Sequence, residues 1–176
     1  MATSPYTGNY SVLKGIVKFT PTGGAERDLG NAPEIELTPA VEKLDHFSSR
    51  AGVRSKDRSV VTEKTVTLRI VLDELTAENL RIMLLGDAIT TGTSGNPGFG
   101  IGAESEILGA ISITGTNDIG SKIHLALPNV SFGPSGSLNL ISEEWATIEV
   151  TAEVFWDETN GNFGTVEVDE VEEATA

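Results

Sequence analysis

Two histidines, His46 and His124, are the side chains best placed to move protons near neutral pH. They fall in separate candidate strands or strand ends, and neither has a second histidine at ligand spacing, so a zinc site would have to draw on distant carboxylates. The chain has no cysteine, which excludes a thiol nucleophile, a thiolate metal site and a disulfide framework. Three carboxylate pairs stand out: Asp73-Glu74, Glu143-Glu144 and Asp157-Glu158. In a strand, adjacent residues point to opposite faces, so such pairs are not expected to share a substrate as general acid and base. Glycines 92, 95, 98, 100 and 102 have the density of a phosphate-binding loop but lack its Lys-Ser/Thr, and no Gly-x-Ser-x-Gly elbow is present. The expectation is a protein that is not an enzyme, with no catalytic residue, no cofactor and no metal.

Charge carries more information than candidate catalysts do. The net charge is −14 and the pI about 4.4, a balance that disfavours sequence-independent affinity for nucleic acid. Residues 1–81 hold 11 acidic and 11 basic side chains, whereas residues 82–176 hold 15 acidic ones and only Lys122. Such asymmetry suits copies that meet head to tail. Four cations, Arg50, Arg54, Lys56 and Arg58, surround Gly52 in a stretch between positions 47 and 59 that reads as an irregular loop. No aromatic residues are interleaved for base stacking, and Asp57 and Glu63 dilute the charge. A protein partner is one reading of this group and a solvated loop the other.

The elements that must position these residues are mainly strands. From 145 to 156 the chain alternates, with Ala146, Ile148, Val150, Ala152, Val154 and Trp156 on one face and Trp145, Thr147, Glu149, Thr151, Glu153 and Phe155 on the other. A second strand over 60–72 sets Val66, Leu68, Ile70 and Leu72 against Thr65, Thr67, Arg69 and Val71. Shorter strands are expected over 11–20 (Leu13, Val17 and Phe19 inward), 34–38 (Ile35 and Leu37 inward), 107–114, 122–130, 137–141 and 165–168. One helix begins after Thr76 as N-cap, with Leu75 and Leu80 as a hydrophobic staple, Leu80, Met83 and Leu84 packing on the core, and Gly86 as the left-handed stop. The Gly-rich stretch 90–102 reads as a surface loop. The fold class is mainly β: an antiparallel β-sandwich or barrel subunit with one flanking α-helix. A single domain over 1–168 and a frayed acidic tail over 169–176 complete the expected organisation. No apolar run is long enough for a membrane helix, and the first residues lack the features of a secretory signal.

The chain order Gly8-Asn9-Tyr10-Ser11-Val12-Leu13-Lys14-Gly15-Ile16-Val17-Lys18-Phe19, then Asp28-Leu29-Gly30-Asn31-Ala32-Pro33-Glu34-Ile35-Glu36-Leu37, then Leu44-Asp45-His46-Phe47-Ser48-Ser49-Arg50, followed by the polar basic stretch, a strand and a helix, resembles the major tail protein, or tail tube protein, of long-tailed bacteriophages. The resemblance covers residues 8–86 well and the rest by strand pattern. It implies a ring-forming subunit: hexameric rings whose inner sheets join as one barrel, stacked into a tube that conducts DNA from capsid to host. The implied partners are further copies of the chain, a tape measure protein and a tail terminator, with DNA passing through unbound and no membrane insertion. The implied location is the virion tail, after synthesis in the bacterial host cytoplasm. On this reading Arg50, Arg54, Lys56 and Arg58 make the contact between rings, and Glu34, Glu36, Glu63, Glu149 and Glu153 line the channel. A monomeric sandwich acting as a binding or adhesin module, with the Gly-rich loop on its ligand, is the alternative class. The inner tube of a type VI secretion system is a further reading within the structural class.

Overall fold

The computed structural model describes residues 7–50, 52–133 and 136–171. After a short 3-10 turn at Thr7–Asn9 come β1 (Gly15–Pro21), β2 (Arg27–Asp28), β3 (Glu34–Ser48), β4 (Ser55–Leu72), α1 (Ala77–Met83), β5 (Thr90–Thr91), β6 (Pro97–Gly98), β7 (Ile107–Gly115), β8 (Lys122–Phe132), β9 (Ile148–Val154) and β10 (Thr165–Asp169). All the pairings are antiparallel, and the main sheet runs β2-β1-β7-β8-β9-β4-β3, with β10 also on β8 and β5-β6 a separate small ribbon.

β8 turns this sheet into a sandwich. One edge pairs with β7, while the other divides: Lys122–Ala126 pair with β10 and Val130–Phe132 with β9. The division falls at Pro128, where the β7–β8 register slips between Gly109 and Ile111. Proline has no N–H for a ladder and is accommodated at a bulge, which bends the strand. The side chains of β1, β7 and β8 thereby share one core with those of β4 and β9. Val17, Phe19, Leu68, Ile70, Leu72, Phe132, Ile148, Val150 and Ala152 are buried there, and Phe19 meets Phe132 edge to face at 5.2 Å. Gly109 is required at this point, because a Cβ would overlap the Phe19 ring.

Several boundaries differ from the sequence expectation. Residues 137–141 form no strand, and the strand around β9 covers only 148 to 154: Trp156, expected on the core face, is half exposed. Leu13 precedes β1 and is exposed. At the other end Asp169 closes β10 instead of opening a tail, and its carboxylate lies 3.1 Å from His124 Nε2; residues 172–176 lie outside the described ones. None of the three adjacent carboxylate pairs lies in a strand. Asp73 and Glu74 in fact converge, both accepting hydrogen bonds from Asn31.

Thr76 caps α1, its hydroxyl accepting from Asn79 N at 3.2 Å. The helix buries Ile82 and Met83, with Leu80 partly buried against the core and Leu84 at intermediate exposure. Leu75 is half exposed and takes no part in the core cluster, so the expected staple is replaced by a polar lock. Asn79, buried, donates to the carbonyls of Leu29 and Glu74 and accepts from Arg27. Leu85 (φ 49), not Gly86, takes the left-handed conformation at the helix end. Gly86 is needed because the Phe99 ring occupies the space of a Cβ. Because Ile82 is buried and Leu80 only partly so, Ile82→Ala should lower unfolding stability by about 2–5 kcal/mol and Leu80→Ala by less. Urea denaturation of the monomeric form checks the order.

Candidate functional site

Register decides which side chains share a face. Across β3, β4 and β9, Val71 stands opposite Glu34 and Glu149, Arg69 opposite Glu36 and Thr151, Thr67 opposite Thr38 and Glu153, and Glu63 opposite Glu42. Directly opposed residues point to the same side, and these alternate with the buried Leu68, Ile70, Val150 and Ala152. Glu34, Glu36, Glu63, Glu149 and Glu153 therefore lie on one continuous face, turned away from the core. Arg69 sits in its middle. Its Nη1 donates to Glu34 and its Nη2 to Glu149, both at 2.8 Å, so one cation ties the three strands together. The hydrogen bond from Arg69 holds the Glu149 carboxyl below its usual range, and the two carboxylates raise the guanidinium above its own.

The basic group occupies a long β-hairpin arm, not an irregular loop. β9 pairs with β4 only as far as Val66, yet the β3–β4 ladder continues to Ser48 and Ser55. At about 3.3 Å per residue, β4 runs roughly 35 Å beyond β9. Over 36–47 and 55–65 every side chain is exposed, on both faces. Arg50 and Arg54 lie in the turn, and Lys56 and Arg58 on β4. Lys56 Nζ bonds Asp45 at 2.7 Å, Ser59 donates to the same carboxylate at 2.6 Å, His46 Nδ1 lies 2.6 Å from Asp57, and Arg54 stacks over Phe47 at 5.4 Å. Lys56 and Ser59 lower the Asp45 pKa. These pairs account for the Asp-His-Phe part of the Leu-Asp-His-Phe-Ser-Ser stretch: Asp45, His46 and Phe47 each meet a counterpart across the arm.

The segment between β8 and β9, expected to hold a strand over 137–141, is irregular. Leu140, Ile141 and Trp145 are almost fully exposed there beside Glu143 and Glu144. The signal was present in Asn139, Ser142 and the two acids, which interrupt the alternation. The Gly-rich stretch 90–102 is more ordered than its composition implies: β5 and β6 pair within it, and Gly100 N donates to Asp87 Oδ1 at 2.7 Å. Among the described residues no group of three or more His, Asp or Glu could hold a metal, and no helix is long and apolar enough to cross a membrane.

The Arg69–Glu149 pair gives a pH signature. A carboxyl whose folded pKa is depressed contributes stability that is complete above the unfolded value, about pH 4.3 for glutamate, and lost as pH falls through the folded value. The parent's melting temperature should therefore drop more steeply between pH 5 and pH 3, on the order of the carboxylate range, than that of Arg69→Met. Thermal melts at stepped pH measure the two slopes.

Residues 10–96, just under half of the chain, match the model of a family described as "Protein of unknown function UCP028589". No curated protein matches the chain. Among solved structures, one similar chain comes from the "Tail of empty GTA particle computed with helical refinement, C6 symmetry"; it is 12% identical, with 90% of this chain and 96% of that chain covered and a TM-score of 0.45.

Proposed function

We propose that this chain is the structural subunit of a bacteriophage tail tube, stacking as hexameric rings into a channel through which DNA passes. The observation that carries the reading is the arm. Among the described residues, β3 ends the sheet with its outer edge unpaired along its whole length, and β4 has no second neighbour beyond Val66. Monomeric β-proteins shorten or cover such edges. A ring removes them by pairing each subunit's edge with its neighbour's, and stacking the rings gives a repeating contact that does not close. The resemblance of residues 8–86 to tail tube proteins supports the same reading.

On this reading the acidic face lines the channel. Duplex DNA carries about one negative charge per 1.7 Å, and a wall rich in Lys or Arg would hold it by releasing counterions. The face of Glu34, Glu36, Glu63, Glu149 and Glu153 has Arg69 among them, already committed to two carboxylates. It would repel the duplex and let it slide. Tape measure and terminator proteins are the further partners, and the virion tail is the place of action.

Electron micrographs of the concentrated protein should show rings or tubes; a chain that remains monomeric at every concentration would instead be a binding module. Converting Arg50, Arg54, Lys56 and Arg58 to Glu should leave the melting temperature near the parental value but prevent stacking at low salt. With Glu63→Lys and Glu153→Lys in every copy, tubes should assemble and DNA ejection should slow, recovering as added salt screens the charge. Parental ejection rates at low salt would remove this face from the channel.

A further inference from the structure

The two ends of the β3–β4 hairpin carry opposite and complementary surfaces. At one end, the segment leading into β9 exposes Leu140 at 85%, Ile141 at 98% and Trp145 at 97%, with Glu143 and Glu144 between them. It is held at its root, where Leu138 packs against the core, and turned at Ser142, whose hydroxyl accepts from Glu144 N at 3.0 Å. Exposed apolar groups of this size, flanked by charge, mark interaction surfaces. At the other end, the arm tip exposes Val53 at 82% and Leu44 at 68%, with Phe47 under Arg54, ringed by Arg50, Lys56 and Arg58.

The two surfaces of one molecule cannot meet. β9 begins at Ile148 opposite Leu72, whereas the arm tip lies at Ser55 on the same strand. They lie at the two ends of the 18-residue strand β4, on the order of 55 Å apart. Only a second copy can bring a basic, apolar tip to the acidic, apolar segment. Such a contact uses different surfaces on its two sides, so it repeats head to tail along the hairpin without closing.

We propose that the β8–β9 segment of one copy, through Leu140, Ile141, Trp145, Glu143 and Glu144, receives the arm tip of the next. This rests on the reading that the chain self-assembles, and adds to it the surface on which the arm lands. Apolar side chains on both partners give the contact its area, and Glu143 and Glu144 facing Arg50 and Arg54 give it its polarity.

The test uses the full chain with Trp156→Phe, which leaves Trp145 as the sole tryptophan. Acrylamide should quench Trp145 freely in dilute solution and several-fold less once the protein assembles. Glu143→Arg with Glu144→Arg should block association at low salt, and adding Arg50→Glu and Arg54→Glu to the same chain should restore it. All four side chains are exposed, so parental melting temperatures serve as the control for folding, and Trp145→Ser offers a second, uncharged disruption. A parent that assembles with Trp145 still fully quenchable would overturn the contact while leaving the tube reading intact. Protection of Trp145 without rescue by the charge exchange would overturn it too, since another surface would then cover the residue. A parent that never associates would overturn the tube reading and the contact together.

Discussion

Beyond Val66 the ladder of β3 and β4 has no core beneath it. An isolated two-stranded hairpin is at best marginally stable in water, because its backbone hydrogen bonds compete with solvent and neither face removes apolar area. Here it is held by the Asp45–Lys56–Ser59 group, the His46–Asp57 pair and the Phe47–Arg54 stack, all exposed. Exposed pairs of this kind are individually weak. Val41, Leu44, Val60 and Val61 remain in solvent on the arm. A monomer gains nothing from them. The arm makes physical sense as half of a contact, and the outer edges of β3, and of β4 beyond Val66, which are unpaired among the described residues, follow from that constraint together with the placement of charge.

The sandwich beneath is what lets the arm be long. β4 is pinned on one side by β9 through seven residue pairs from Val66 to Leu72, and on the other by β3. Its inward Leu68, Ile70 and Leu72 are fully buried. On the opposite face Arg69 ties β3 to β9 across β4. The lock of Asn79 on Leu29 and Arg27, with Asn31 on Asp73 and Glu74, fastens the start of the hairpin to the helix. The Leu-Gly-Asn-x-Pro-Glu stretch thus has a physical account. Leu29 is buried, Gly30 has φ 84 with the Glu74 carboxylate where a Cβ would be, and Asn31 reaches the helix approach.

Alternation in sequence revealed the buried faces of β4 and β9 because each strand has one face on the core and one in water. The same rule failed on the arm, where both faces are solvated and no period in hydropathy distinguishes strand from loop; only cross-strand partners such as Asp45 and Lys56 reveal it. It failed again at 137–147, where Leu140 and Ile141 resemble core residues by type but stand in water. The five glutamates could be placed on outward faces from their strands, but only the register of β3 against β4 and of β4 against β9 brings them together. Arg69 was legible as an outward cation and not as a bridge, since its two acceptors come from strands 35 and 80 residues away.

The Gly-rich segment after α1 is tied down at both ends: Phe99 fills the space over Gly86, and Gly102 N donates to Leu84 O at 2.9 Å. Its far turn is closed by reciprocal bonds between Gly92 and the Gly95–Asn96 backbone, and a side chain at Gly95 would meet only open space. Residues could be gained or lost at that turn without disturbing a core atom. This is where chains of the same fold are free to diverge in length and to carry added surface decoration.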